Sequence, residues 1–308
     1  MPGFFALFGP PMAFDTFACK IAPMRLVLFM LWCLRWLPRA WVIAIANNLG
    51  GLLFHWGRKR VTLINLKLCF PEKSERERET IGRGVFKSLA RATLELGHLW
   101  YAPVDEALAK VVVRDRHFMD EWRGKVPIIV LAPHFVGLDI GGARFSHDYP
   151  EAFSMYSEQK NKVFDVALRR ARKRFSDALL VTRQQGLRPV LKALKEKRPF
   201  YYLPDMDFGA KDAAFVDFFG IKTATVTAVS RLCEITGAKV IPLITRQTNE
   251  GYEARYYPAW ENFPAGDAAA DARRMNAFLE DRIREIPDQY FWVHTRFKTR
   301  PPGEEYFY

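Results

Sequence analysis

In the stretch APHFVGLDIGG, His134 is followed five positions later by Asp139. An imidazole can take a proton from a hydroxyl near neutral pH. A carboxylate on its other nitrogen fixes the tautomer and stabilises the imidazolium form. That pairing suits hydroxyl activation, but the spacing restricts it. On one regular helix the two side chains would lie about 140° apart, at about 100° per residue, and could not touch. They meet only if His134 is on a turn and Asp139 is in the first turn of the following helix, and Pro133 and Gly137 suit such a turn. A structural histidine beside an N-capping aspartate fits the same residues, so the spacing alone is a weak signal.

Other charged residues could bind an anionic substrate. RRARKR (169–174) is the densest basic run, and it reads equally well as a solvated helix face. Arg174, Arg183 and Arg188 precede the pair Asp205 and Asp207 and could reach phosphates. Arg296, Lys298 and Arg300 form a basic cluster near the C-terminus. Asp205 and Asp207 could position arginines or a sugar, or simply hold a turn. No His/carboxylate cluster has metal-ligand spacing, so neither metal nor cofactor is expected. Cys19, Cys33, Cys69 and Cys233 form no CxxC pair and read as small apolar residues in a reducing compartment.

The elements that must position these groups are legible in outline. Pro127 to Leu131 (PIIVL) is an apolar run of buried-strand length, so His134 falls at the C-terminal end of a strand. In α/β sheets that is where ligand sites gather. Further strands are expected at Val111–Val113, Phe200–Leu203, Lys239–Thr245, Tyr252–Pro258 and Tyr290–Val293. Helices are expected over 72–102, 162–174, 187–196, 225–236 and 268–285. Strands alternating with helices predict an α/β layered domain with one mixed sheet.

The first 57 residues differ. They contain no Glu, and Asp15 is their only acid. Leu26 to Leu34 is wholly apolar, Arg35–Arg39 interrupts, and a second apolar stretch runs from Ala40 to Trp56, broken by Asn47 and Asn48. Neither reaches the roughly 20 residues of a clean span, and Arg35 would be costly at a bilayer centre. Trp32, Trp36, Trp41 and Trp56 suit the headgroup level, and Arg58, Lys59 and Arg60 follow as a cytoplasmic flank. The start MPGFFALFGPP lacks the basic region of a signal peptide. Residues 1–57 therefore read as a membrane-anchoring helix or helical hairpin, with a buried soluble helix pair as the alternative, and 58–308 as the catalytic domain. The chain has 308 residues and a net charge of +12, which calls for an anionic partner. Nucleic acid is the least suited, because no helix-turn-helix, RNP or zinc pattern is present.

Several motifs occur together in an ordered set. The H-x4-D follows an apolar strand. LKALKEKRPFYYLPDMDFG (191–209) carries an aspartate block, and FVDFFG (215–220) and YFWVHTRFKTRP (290–301) come after it. In that order they resemble the lipid A biosynthesis acyltransferases, the lauroyl/myristoyl enzymes within the H-x4-D/E glycerolipid acyltransferase superfamily. Asp139 stands where many members carry Glu, Met206 where His is common, Asp217 in place of a usual Pro and Thr295 in place of a usual Arg.

The resemblance implies transfer of a fatty acyl chain from acyl carrier protein to a hydroxyl of a phosphorylated lipid A precursor. The setting it implies is the bacterial inner membrane, with the catalytic domain on the cytoplasmic side against anionic lipid. On that reading His134 is the general base and Asp139 its orienter. Backbone amides after His134 stabilise the oxyanion, and Arg174, Arg183, Asp205, Asp207, Arg296 and Lys298 bind substrate. No covalent acyl-enzyme is required. A lysophospholipid acyltransferase is the runner-up, but its P-E-G-T-[RK]-S block is replaced by PDMDFG. An inactive lipid-binding relative is the non-enzymatic alternative.

Overall fold

The computed structural model describes residues 21–308, so Cys19 and the start of the chain lie outside the described residues. In chain order, α1 (Ile21–Leu34), α2 (Arg39–Trp56), α3 (Lys59–Cys69), α4 (Glu75–Tyr101) and α5 (Val104–Leu108) lead into β1 (Val111–Arg114) and α6 (His117–Asp120). Then come β2 (Ile128–Leu131), α7 (Leu138–Asp148), β3 (Phe153–Tyr156), α8 (Lys162–Lys173), β4 (Leu179–Thr182), α9 (Arg188–Lys195) and β5 (Phe200–Tyr202). A hairpin of β6 (Ala213–Phe218) and β7 (Ile221–Val226) precedes α10 (Ala228–Thr236), β8 (Lys239–Gln247), β9 (Tyr252–Tyr256) and α11 (Ala268–Glu285).

Seven strands form one mixed sheet in the order β1-β9-β8-β2-β5-β3-β4. All neighbours are parallel except β8 and β9. All four residues of β2 are fully buried, as expected of a central strand covered on both faces. The two faces carry separate apolar cores, one built on Ile129, Leu131, Phe200 and Trp292, the other on Ile128, Val130, Phe145 and Tyr201.

The N-terminal helices pack on α4, whose start carries a reciprocal Ser74/Glu77 capping box. Glycines set two of these approaches. A Cβ on Gly97 would stand 2.1 Å from the Leu31 carbonyl oxygen, and one on Gly50 would stand 2.5 Å from Lys87 Cα. Arg35 is half-buried. It donates to the Tyr101 carbonyl at 2.6 Å and so satisfies an orphan acceptor at the end of α4. Among the described residues no helix is long and apolar enough to cross a membrane. Helices α1 and α2 nonetheless expose Leu26, Phe29, Met30, Trp41, Leu52 and Trp56, and the turn between them exposes Trp36.

Three sequence expectations change. Tyr290–Val293 is not a strand; only an isolated bridge joins Phe135 to Tyr290. The helix expected over 225–236 starts at Ala228, because Ile221–Val226 is β7. Strands β3 and β4 were not expected at all.

Candidate active site

The sheet register builds the centre of the site. Leu131 on β2 pairs with Tyr202 on β5, and both strands run the same way. His134 and Asp205 each lie three residues past that pair, so both emerge at the same C-terminal edge of the sheet. The His134 backbone N–H donates to Asp205 Oδ2 at 2.9 Å, and the His134 Nδ1 to Asp205 Oδ1 distance is 2.7 Å. Tyr290 completes the set by donating its hydroxyl to Asp205 Oδ2 at 3.1 Å.

Asp205 is wholly buried. Burial alone would raise its carboxyl, but the His134 charge and the hydrogen bonds from His134 outweigh it and hold the carboxyl below its usual value. The carboxylate is thus ionised, and the proton between the pair sits on Nδ1. Nε2 is left as the basic lone pair, and it has no partner among the described residues.

Asp139 does not occupy the position expected of it. It lies in the first turn of α7, as anticipated, but its carboxylate faces α8 and pairs with Arg172 at 3.4 Å. The imidazole instead turns toward the loop after β5. Two things fix α7 here. Cβ atoms on Gly137 and Gly141 would stand 2.6 Å and 2.1 Å from Thr245 atoms, so α7 presses its glycine face onto β8. The Tyr201 hydroxyl also donates to the Leu138 carbonyl at 3.0 Å. Three of the six backbone amides from Phe135 to Ile140 are committed as well. Phe135 N–H bonds Pro133 O, Val136 N–H bonds Gln289 O, and Leu138 N–H bonds Phe135 O.

Both residues open onto a cavity of about 1110 Å³. One part of its wall is apolar, with Leu99, Trp100, Leu168, Ala171, Phe175 and Tyr201. Another part is basic. Arg183, Lys211 and Lys298 line it and have no carboxylate partner among the described residues, and Arg183 lies over the Phe208 ring at 4.6 Å. Arg172 also lines it, held by Asp139. Arg169, Arg170 and Lys173 are exposed, so the basic run on α8 is split between solvent and cavity.

Three residues expected to bind substrate are engaged elsewhere. Arg174 donates to the carbonyls of Leu99 and Ala102, closing the C-terminal end of α4. Arg296 is buried and donates to the Ala224 carbonyl at 2.9 Å and to Thr225 Oγ1 at 3.2 Å, stacking over Phe218. Asp207 accepts from Gly209 N–H and from the Thr299 N–H and hydroxyl, each at 2.8 Å, so it fastens the loop after β5 to the C-terminal segment. Of the residues read from sequence, the cavity unites His134, Asp139, Arg183, Asp207 and Lys298 on its wall, with Asp205 directly behind His134. Tyr290, Lys211 and His294 were not singled out, and Arg172 entered only as part of the run 169–174. The motif YFWVHTRF carried two of them in plain view.

A model of the family described as bacterial lipid A biosynthesis acyltransferase matches residues 16–299. The lipid A biosynthesis lauroyltransferase of Escherichia coli (strain K12) is 31% identical, over 89% of this chain and 90% of that protein. The myristoyltransferase of the same organism is 32% identical, over 85% and 82%. Its palmitoleoyltransferase is 29% identical, over 91% and 92%.

Proposed function

The chain belongs to the bacterial lipid A biosynthesis acyltransferases, and from that premise we propose that it moves a fatty acyl chain from an acyl carrier protein thioester to a hydroxyl of a phosphorylated lipid A precursor. It is an acyltransferase of lipid A biosynthesis.

One observation carries it: the buried His134–Asp205 pair presents a free Nε2 to a cavity that is apolar on one side and basic on another. A hydroxyl is a poor nucleophile at neutral pH and needs a positioned base. Nε2 takes the hydroxyl proton as the oxygen forms a bond to the thioester carbonyl carbon. The carbonyl electron pair moves onto oxygen. When that oxyanion collapses, the C–S bond breaks, and the thiolate takes up the proton from the imidazolium. Asp205 holds the imidazole in the reactive tautomer, Tyr290 fixes the carboxylate, and Asp139 acts through Arg172 at the cavity wall. The apolar wall takes the acyl chain out of water. Arg183, Lys211 and Lys298 receive phosphate.

The acceptor is a membrane lipid, and the exposed face of α1 and α2 offers the surface to meet it. Seven large apolar side chains, three of them tryptophan, are exposed on these two helices and the turn between them, which suits contact with an apolar partner. We place this hairpin in the interface of the inner membrane, lying rather than spanning, with the catalytic domain on the cytoplasmic side.

The test is purified His134→Ala assayed for acyl transfer from acyl carrier protein to lipid A precursor. Mass spectrometry of lipid A from a strain relying on that variant reads the same step in cells. Near-normal transfer would remove His134 from the chemistry.

A further inference from the structure

We propose that His294 is a second catalytic imidazole, a neutral Nδ1–H donor to the oxygen of the thioester carbonyl as it becomes an oxyanion. The inference rests on the reading of the site given above. It starts from the charge that the reaction builds. Attack on a thioester builds negative charge on oxygen, and fixed donors at that point supply much of the catalysis. The amides of Phe135, Val136 and Leu138 in the turn after His134 are bonded within the protein, so backbone donation there falls to Gly137, Asp139 and Ile140, and a side-chain donor would add to it.

His294 lines the same cavity as His134. Its Nε2 accepts the Asp207 backbone N–H at 3.1 Å. A nitrogen that accepts carries no proton, so the neutral ring must hold its proton on Nδ1. That nitrogen has no hydrogen-bond partner among the described residues, although the residue is only half-buried and faces the cavity. The ring stays neutral because burial, with the Arg296 charge beside it, pushes its pKa down to about 3. A neutral imidazole can still donate to a developing oxyanion without competing for protons.

The ring is also firmly held. One short loop holds both imidazoles, with Asp205 on His134 Nδ1 and the Asp207 N–H on His294 Nε2. On the other side the Phe291 N–H donates to the His134 carbonyl at 3.1 Å, and the His294 N–H donates to the Phe291 carbonyl at 3.2 Å. The Asn65 amide donates to the His294 carbonyl at 2.7 Å. The base and the donor are therefore fixed to each other through two backbone segments.

Two amide substitutions separate the donor from the scaffold. In His294→Asn the side-chain NH2 sits near the Nδ1 position, while nothing reaches the Asp207 N–H. In His294→Gln the carbonyl oxygen reaches the Nε2 position and keeps that contact, while the cavity loses its donor. With lauroyl-, myristoyl- and palmitoleoyl-acyl carrier protein and a lipid A precursor, His294→Gln should melt like the parent and lose about 10²–10³-fold in kcat with little change in KM. His294→Asn should melt lower and keep kcat within about tenfold, the span of one weakened hydrogen bond. Equal kcat losses in the two variants, no loss in either, or a more active Gln variant overturns the proposal. So does a 15N spectrum of the histidine-labelled parent that puts the His294 proton on Nε2. His134→Ala run beside them keeps the failures apart. An active His134→Ala rejects the whole site reading, whereas an inactive one beside a fully active His294→Gln rejects only the second imidazole.

Discussion

Replacing Asp205 by Asn should cost about 30-fold to 10⁴-fold in kcat, and the structure supplies the magnitude. Two donors converge on Oδ2, the His134 N–H at 2.9 Å and the Tyr290 hydroxyl at 3.1 Å, while Oδ1 faces Nδ1 at 2.7 Å. An amide has one acceptor oxygen. Placed at the Oδ2 position it satisfies both donors, and its NH2 then points at Nδ1. That forces the imidazole proton onto Nε2, the nitrogen meant to take the hydroxyl proton. Flipping the amide restores the reactive tautomer but faces two buried donors with an NH2 group. At about 1–3 kcal/mol each, the flip costs about 2–6 kcal/mol, and 1.36 kcal/mol is a factor of ten in rate. The upper end meets the roughly 10⁴-fold loss that the same change causes in a Ser-His-Asp triad, where the tautomer is also the cause. Transfer should be measured at saturating acyl carrier protein thioester and lipid A precursor, with a thermal melt to show that the fold is kept. KM should move little, because Asp205 touches neither substrate. Tyr290→Phe removes one of the two donors that oppose the flip, so adding it to Asp205→Asn should restore activity by roughly tenfold or more. A single Asp205→Asn variant with more than a tenth of parental kcat, or a double variant no better than the single, refutes the tautomer reasoning.

Three further outcomes follow from the same contacts. His294 has its pKa lowered from 6.5 to about 3, so it is neutral when folded and binds a proton when unfolded below pH 6.5. Its contribution is fully present above pH 6.5 and is lost as pH falls toward 3, at about 1.4 kcal/mol per pH unit. Urea titrations from pH 7 to 4 should show that slope weakened in His294→Gln, and an unchanged slope rejects it. Arg296→Lys keeps the charge but not the fork that bridges Ala224 and Thr225, so unfolding free energy should fall by about 1–3 kcal/mol. A change below about 0.5 kcal/mol would mean that Arg296 does not hold the β6–β7 hairpin in place. Trp41→Glu and Leu52→Glu should each weaken sedimentation with anionic vesicles roughly tenfold, for about 1.5 kcal/mol of apolar burial per residue. Both are more than half exposed, so undiminished binding would show that this face does not meet the membrane.

The sheet and the site were legible to different depths for physical reasons. Apolar runs such as PIIVL announce a buried strand, and β2, β5 and β8 were read accordingly, whereas β9 (YEARY) alternates between buried and half-buried residues. Strands β3 and β4 are four residues each with mixed burial, FSMY and LLVT, too short to set up a pattern. The β6–β7 hairpin turns through Phe219 and Gly220, whose φ values are 52° and 78°. A two-residue turn with both φ positive is usually signalled by Asn-Gly or Asp-Gly. Here a phenylalanine takes the first place, so the signal was absent, and the β-branched IKTATV was partly assigned to the following helix.

The exchange of Asp139 for Asp205 has a deeper cause. A local motif can show which residues are near in sequence, and H-x4-D invited a local pairing. Which strand lies beside β2 is a long-range fact. β3 follows β2 in the chain, yet β5 is inserted between them in the sheet. Only with that neighbour known does a constant separation of 71 residues carry the Leu131–Tyr202 pairing on to His134 and Asp205. Asp205 was visible as part of an aspartate block, but its role depended on strand order. The same holds at the other wall of the site, where one bridge between Phe135 and Tyr290 brings the C-terminal motif against the catalytic turn. Two distant motifs thus share one function because the sheet edge is where they meet: the block at 205–207 holds His134 on one side and His294 on the other, and neither imidazole has a defined tautomer without it.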